Sequence, residues 1–339
     1  MKTNKKIIIL SPLKDTMAGG PARYAKKLGD YFLRKGYKVT TLIFSKYNKL
    51  PTIIRHGVFL AAVLFNTGRA RTIIALDTFS VALPGKIVSI LTRKNFIVRI
   101  GGDFLYESYI ERTNEPITLN EFYTNKPSFN FKERIIYSVQ RLILHNSIVV
   151  WNSEFIKDIW HKAYQPKVKG EYIVINAYPE KQSGKRAIGN VFLANSRQHK
   201  IKNIDRLNKV WREAGEQVHK FYLETNEVSH QEYQNKLQSA YAVVVPSYSD
   251  ISPNTILEAL AIGVPCILTK ENGLPQEIKE LCCLIDPIDN ASIWRAIISF
   301  FDVNTYQHYV DLAKKYLPKQ TWEELCENYY TIAQKYENN

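Results

Sequence analysis

Four polar residues on one short stretch carry the chemistry most legible in this chain. Within AVVVPSYSDISPNTILEALAIGVPCILTKENGLPQE, residues 242–277, Asp250 and Glu258 bracket Ser252 and Asn254. Ala242 to Val245 is a β-branched run suited to a buried parallel strand, and Pro246 ends it. Ser252 reads as a helix N-cap, with Pro253 at the first helical position, where its missing N–H costs nothing. Ile256, Leu257, Leu260 and Ala261 form the apolar face of that helix, and Gly263 fits its stop. Val264 to Leu268 is the next strand. A helix start beside a strand end presents free backbone N–H groups, a ready site for phosphate. Carboxylates next to such a site repel the anion unless they bind hydroxyls, and ribose and hexose supply hydroxyls. Either acid alone reads as a loop or surface acid. The pair around a phosphate-type helix start reads as a binding site.

Length and pattern indicate the scaffold around these residues. At 339 residues the chain is expected to form two domains. A hydrophobic content of 45% and a charged content of 23% describe an ordinary globular protein. The longest apolar stretch, Gly57 to Phe65, falls far short of the ~20 residues of a membrane span. Ile7 to Leu10 is too short for the core of a signal peptide and reads as a first strand. Cys266, Cys282, Cys283 and Cys326 make no Cys-x-x-Cys pair and have no His at metal-ligand spacing. Free thiols of this kind fit a reducing, cytoplasmic compartment. The net charge of +14 is uneven: residues 1–165 hold 26 Lys and Arg against 11 acids, and residues 166–339 hold 20 against 21. Nucleic acid, anionic lipid or an anionic substrate would each suit the basic half.

Strands at Lys6–Ser11, Tyr37–Phe44, Thr72–Leu76 and Phe96–Ile100 alternate with helices, which predicts a doubly wound parallel sheet. The loop after the first strand ends in Gly19 and Gly20, without a Gly-x-Gly-x-x-Gly or Walker pattern. The fourth strand ends in Gly101-Gly102-Asp103. Asp103 is thereby placed for a ligand at a strand end, or it makes an Asx turn or helix cap. Phe104 to Phe131 reads as a long irregular loop rich in aromatics, which either stack on sugars or pack the loop against the sheet. Residues 165–170 read as a linker.

The stretch PSYSDISPNTILEALAIGVP resembles the donor-binding signature of family 4 retaining glycosyltransferases of the GT-B fold: Pro-Ser, an acid, seven residues, Glu, then Ala, Gly and Pro. Asp250 stands where the usual first residue is Glu, and Glu258 keeps the spacing. The resemblance implies two Rossmann-like domains facing a cleft. Residues 1–168 would be the acceptor side and residues 169–318 the nucleotide-sugar side, opened by the strand EYIVIN, Glu171 to Asn176. Residues 319–339 would be a helix crossing back to the first domain. Only one strand–helix unit fits between the helix after Arg197 and the Pro-Ser strand, so the second domain is expected to be shortened.

By the same resemblance, Arg197 and Lys202 clamp the donor diphosphate in place of a metal, and no Asp-x-Asp motif is present. Glu258 holds ribose hydroxyls. Asp250, Ser252, Asn254 and Thr255 face the sugar and β-phosphate, and Gly19 and Gly20 face the donor phosphates. The family's His at the end of the fourth strand is replaced here, leaving Asp103 as the nearest candidate catalytic residue beside Asp250 and Glu258. The implied activity is transfer of a hexosyl group from a nucleotide sugar to a saccharide or lipid-linked acceptor with retention of configuration. It would serve cell-surface polysaccharide or glycolipid assembly, without metal or other cofactor. The expected setting is cytoplasmic, peripheral on the inner membrane face, with the basic first domain toward anionic lipid. The alternative is a catalytically inactive GT-B-like binding subunit of a glycosylation complex. A nicotinamide-dependent oxidoreductase lacks its glycine fingerprint here, and no motif supports nucleic-acid binding.

Overall fold

The computed structural model describes residues 5–14, 20–182, 184, 186–195 and 199–337, with backbone only at 216 and 217. Six short strands form the first sheet: β1 (Lys6–Ser11), β2 (Lys38–Ile43), β3 (Ala70–Ala75), β4 (Asn95–Ile100), β5 (Ile148–Trp151) and β6 (Gly170–Ile173). Their order is β2-β1-β3-β4-β5-β6, with every pairing parallel. Ile7 to Leu10 are wholly buried, as a continuous apolar run requires when helices cover both faces of a sheet. The helices over the same span are α1 (Gly20–Arg34), α2 (Thr52–Thr67), α3 (Ala82–Thr92), α4 (Phe104–Thr113), α5 (Leu119–Asn125), α6 (Phe131–Leu144) and α7 (Glu154–Tyr164).

The second sheet contains β7 (Val191–Leu193), β8 (Tyr222–Glu224), β9 (Ala240–Val245), β10 (Cys266–Thr269) and β11 (Cys283–Ile285), in the order β11-β10-β9-β7-β8 and again parallel. Its helices are α8 (Ile204–Glu213), α9 (His230–Leu237), α10 (Asn254–Ala261), the single turn α11 (Gln276–Lys279), α12 (Asn290–Ser299) and α13 (Val303–Ala313), and the chain ends in α14 (Trp322–Glu337). One strand–helix unit, β8 and α9, lies between α8 and β9. Phe192, Leu207, Val244, Ile267, Ile293 and Phe300 centre the core of this unit.

The chain divides into two compact units. The first holds Met1–Leu105, Ser128–Ile175 and Trp322–Asn339, and the second holds Tyr106–Pro127 and Asn176–Thr321. This differs from the sequence expectation in two places: residues 106–127, expected in the first domain, belong to the second unit, and the boundary falls after Ile175 rather than at residue 168. The strand at Glu171 does not open the second domain; as β6 it extends the first sheet beside β5, in register Val150↔Tyr172. Its Glu171 carboxylate accepts from Trp151 Nε1 at 2.9 Å and meets His161 Nε2 at 2.8 Å, ties that hold it to β5 and α7.

The stretch Phe104–Phe131 is not an irregular loop. The Asp103 carboxylate caps α4, while Thr118 with Glu121 and Asn130 with Glu133 form capping boxes that start α5 and α6. Its rings Tyr106, Tyr109, Phe122 and Tyr123 are buried against one another, with centroids 4.9–5.4 Å apart, so they build core and offer no platform to a sugar.

Candidate functional site

In open parallel sheets, ligands bind outside the carboxyl ends of the strands where the strand order reverses. In the second unit that reversal lies between β7 and β9. The loop after β7 carries Lys202, and the loop after β9 carries Asp250. The fold thus brings together two residues far apart in sequence: Lys202 Nζ donates to Asp250 Oδ2 at 2.7 Å. Both side chains keep some exposure, 25% and 13%, so the pair is half-buried and reachable from solvent.

Several local devices hold Lys202 there. Lys200–Lys202 form a 3-10 turn closed by Asn203, whose φ of 58° is a left-handed conformation that Asn tolerates. The Asn203 amide is buried and donates to the carbonyls of Pro246 and Pro287 at 3.0 and 2.8 Å, pinning the turn to the loop after β9. Tyr248 N donates to Ile201 O at 3.0 Å, a second tie between the same loops.

Asp250 is fixed through its backbone. Its N–H donates to Glu271 O at 2.9 Å and its carbonyl accepts from Gly273 N at 3.0 Å, so the loop after β10 grips it on both sides. Asp250 Oδ1 accepts from Ser252 N at 3.3 Å, leaving one carboxylate oxygen on Lys202 and the other on the helix approach.

The helix begins one residue later than its sequence suggests. Pro253 is the N-cap and Asn254 the first helical residue, so the cap position itself gives the first turn no side-chain hydrogen bond. Ser252 lies before the cap, and its hydroxyl accepts from Asn176 Nδ2 at 3.1 Å. The same amide donates to Asn254 Oδ1 at 2.9 Å. Asn176, 7% exposed, therefore holds both side chains that flank the helix start. At the other end, Gly263 with φ of 75° closes the helix, and Val264 N returns to Ala259 O at 2.9 Å.

Glu258 lies about one turn into α10, four residues after Asn254. Its Oε2 accepts from Gln234 Nε2 of α9 at 3.0 Å. The carbonyl of Thr255 accepts from Tyr233 Oη at 3.3 Å. Burial, and then the nearby Glu258 charge, push the Tyr233 phenol well above its ordinary pKa, so it donates as a neutral hydroxyl.

Arg197 and Gly19 lie outside the described residues. Gly20 is exposed at the first position of α1 in the first unit. Asp103, also in the first unit, is the correction that matters most for chemistry. It is 2% exposed, and its carboxylate accepts from Leu105 N at 3.0 Å, Gln140 Nε2 at 3.3 Å and Trp160 Nε1 at 2.8 Å. These bonds make it the helix cap of the two sequence readings and tie α4, α6 and α7 together. Its oxygens are engaged in the fold rather than turned to a substrate.

Sequence reasoning missed Asn176, Asn203 and Gln234. Asn203 left a faint signal, since an Asn after a short Lys-rich turn suits a left-handed close. The other two left none. Arg99 was also missed. Its buried guanidinium lies 4.2 Å from the Tyr24 ring centroid and occupies the space beside Gly101 where a Cβ would stand.

Residues 189–302, which include Lys202, Asp250 and Glu258, match the family model described as Glycosyl transferases group 1. Among curated proteins none matches by sequence. Solved structures match over nearly the whole chain. A sucrose-phosphate synthase from Thermosynechococcus elongatus aligns with a TM-score of 0.72 at 12% identity, covering 98% of each chain. WaaG, a glycosyltransferase involved in lipopolysaccharide biosynthesis, aligns at 0.66 and 11%, covering 97% of this chain and 99% of its own. A glycosyltransferase from Rickettsia africae aligns at 0.61 and 10%, covering 99% and 100%. The chain therefore shares the GT-B fold of these proteins.

Proposed function

We propose that this protein is a retaining glycosyltransferase that moves a hexosyl group from a nucleotide sugar to a saccharide or lipid-linked acceptor. The observation that carries the reading is the Lys202–Asp250 pair at the strand-order reversal, beside a helix start whose cap residue, Pro253, makes no side-chain hydrogen bond. An ammonium and free N–H groups suit a diphosphate; a carboxylate next to them suits sugar hydroxyls.

In the reaction, the donor diphosphate draws Lys202 to its oxygens and lies against the N–H groups of Asn254 and Thr255, with Arg197 as a second cation. Glu258, oriented by Gln234, accepts from ribose hydroxyls. Asp250 accepts from hydroxyls of the transferred sugar. The acceptor hydroxyl attacks the anomeric carbon from the face the diphosphate leaves. As the new C–O bond forms, the old one breaks, the electron pair goes to the diphosphate, and a phosphate oxygen takes the acceptor proton. The chain supplies charge neutralisation and orientation, needs no protein nucleophile and draws on no metal. The acceptor belongs to cell-surface polysaccharide or glycolipid assembly and is met at the cytoplasmic face of a membrane, with the basic first unit toward anionic lipid.

The consumed carboxylate of Asp103 favours a second reading, a binding subunit of a glycosylation complex without turnover. Thermal-shift screening with UDP-, GDP- and ADP-sugars tests the donor site, because a ligand that binds only the folded state raises its melting temperature. Donor hydrolysis then separates the two readings. Stabilisation with hydrolysis supports the transferase, stabilisation without it supports the binding subunit, and no stabilisation by any sugar nucleotide removes both.

A further inference from the structure

We infer that α2 is the element by which this protein sits on an anionic bilayer, with the outward apolar face of the helix entering the lipid interface. The inference deepens the proposed membrane-side setting by naming the contact. α2, TIIRHGVFLAAVLFNT, carries its polar residues Thr52, Arg55, His56, Asn66 and Thr67 on the same side as Phe59 and Val63. Its inner face is sealed, with Phe59 and Val63 wholly buried. Its outer face is bare: Ile53 is 88% exposed, Phe65 85%, Ile54 54%, Leu64 41% and Val58 40%. At 100° per residue these five, with Gly57 and Ala61, fall in one arc of about 140° that holds no polar side chain. Single exposed apolar residues are ordinary on a protein surface, but a continuous stripe along a helix marks a contact surface. The neighbouring helix α3 adds Ile90 and Leu91, 56% and 67% exposed, just ahead of Arg93 and Lys94.

Charge selects the occupant. Between Asp30 and Asp103 the chain carries twelve Lys and Arg and a single acid, Asp77; Lys86 and Arg99 are buried and Arg34 and Lys35 pair with Glu323 and Glu327 of α14, which leaves Lys38, Lys46, Lys49, Arg55, Arg69, Arg71, Arg93 and Lys94 for the surface. The Asp77 carboxylate is occupied by the N–H groups of Phe79, Ser80, Val81 and Ala82. An apolar stripe set in a basic surface complements a layer that is anionic outside and hydrocarbon beneath. It repels a second copy of itself, whose surface carries the same sign. The helix has 16 residues, and among the described residues none is long and apolar enough to cross a membrane. The fitting geometry is a helix lying in the interface plane, with lipid anions drawn to the flanking bases.

The test uses the full chain and no donor or acceptor, so docking and transfer fail independently. Sedimentation with vesicles of phosphatidylcholine and phosphatidylglycerol should carry the protein down. Ile53→Gln combined with Phe65→Gln leaves the net charge unchanged and should weaken that partitioning by about tenfold or more without shifting the melting temperature. In a second measurement, an environment-sensitive fluorophore on Phe65→Cys should brighten and shift to the blue on the same vesicles. Undiminished partitioning of the double variant, an unmoved fluorophore, equal binding to phosphatidylcholine alone, or a solution dimer that the two substitutions dissolve would each overturn the inference.

Discussion

At the scale of single residues, the ion pair of Lys202 and Asp250 makes two roles compete. The same ammonium that suits a diphosphate is held by the acid that suits a sugar. Lys202→Ala is expected to weaken binding of free nucleoside diphosphate by ~1.5–3 kcal/mol, the loss of a charge-assisted contact. Asp250→Asn should act the other way on that measurement. It releases Lys202, so diphosphate affinity is held or improved while turnover falls. Glu258→Gln should lower the affinity of nucleoside and nucleotide alike. Titration calorimetry on the three variants separates these patterns, and equal losses for Asp250→Asn and Lys202→Ala would refute the division of labour.

Lys86 offers a second residue-scale test, in the first unit. Its ammonium is buried under α3 and donates to His145 O at 2.5 Å and Ser147 Oγ at 2.8 Å, where α6 ends. Burial pushes its pKa down to about 8. The unfolded chain holds that proton to about 10.4. Between those values the unfolded state binds more protons, so this group adds stability as pH rises through the window, and its charge costs stability below it. The Lys86 resonance, assigned by its loss in Lys86→Met, should show a midpoint near 8 in lysine-selective NMR. A midpoint in the range of exposed lysines would disprove the assignment.

At the scale of elements, α14 is stitched into the first unit at its last turn. The buried Glu337 carboxylate accepts from Tyr37 Oη and Thr72 Oγ1, both at 2.9 Å, with Lys5 Nζ at 3.5 Å. Leu325, Tyr329 and Ala333 on the same helix are wholly buried. Burial first, and then Glu337, raise the pKa of Tyr37, so the phenol stays a donor across the ordinary pH range. Glu337→Ala strands a buried hydroxyl on β3 and another before β2. It should lower unfolding stability by roughly 1–3 kcal/mol. Urea denaturation measures this, and an unchanged midpoint would show that the helix is held by its apolar face alone.

For the whole molecule, the decisive fact is that neither unit is a continuous stretch of chain. The first unit borrows α14 from the C-terminus, and the second borrows residues 106–127 from the N-terminal half. Within the second unit, Leu119 N donates to Ser249 Oγ at 2.8 Å, one residue from Asp250, so the borrowed segment buttresses the loop that carries the acid. A fragment of residues 1–175 should therefore fold poorly, since Tyr24, Phe32 and Tyr37 lose the partners α14 supplies. Linking residues 322–339 to its end should restore a cooperative melt, followed by circular dichroism. A cooperative melt of the 1–175 fragment alone would contradict this.

What depends on near neighbours is readable along the chain. Runs such as IIIL and AVVV specify buried parallel strands because strand burial is written in consecutive residues. The spacing of Asp250 and Glu258, the helix start between them and the basic bias of the first half were legible for the same reason. Tertiary structure decided whatever depends on which surfaces meet. Lys202 reaches Asp250 across 48 residues because β7 and β9 are sheet neighbours. Asp103 is spent on Trp160 and Gln140, two groups that come near it only through packing. The apolar pattern of α2 shows that the helix is hydrophobic but not which face is covered. Its covered face is set by α3 and by the rings of Phe44 and Tyr47, which meet Phe59, and five large apolar side chains are left facing outward.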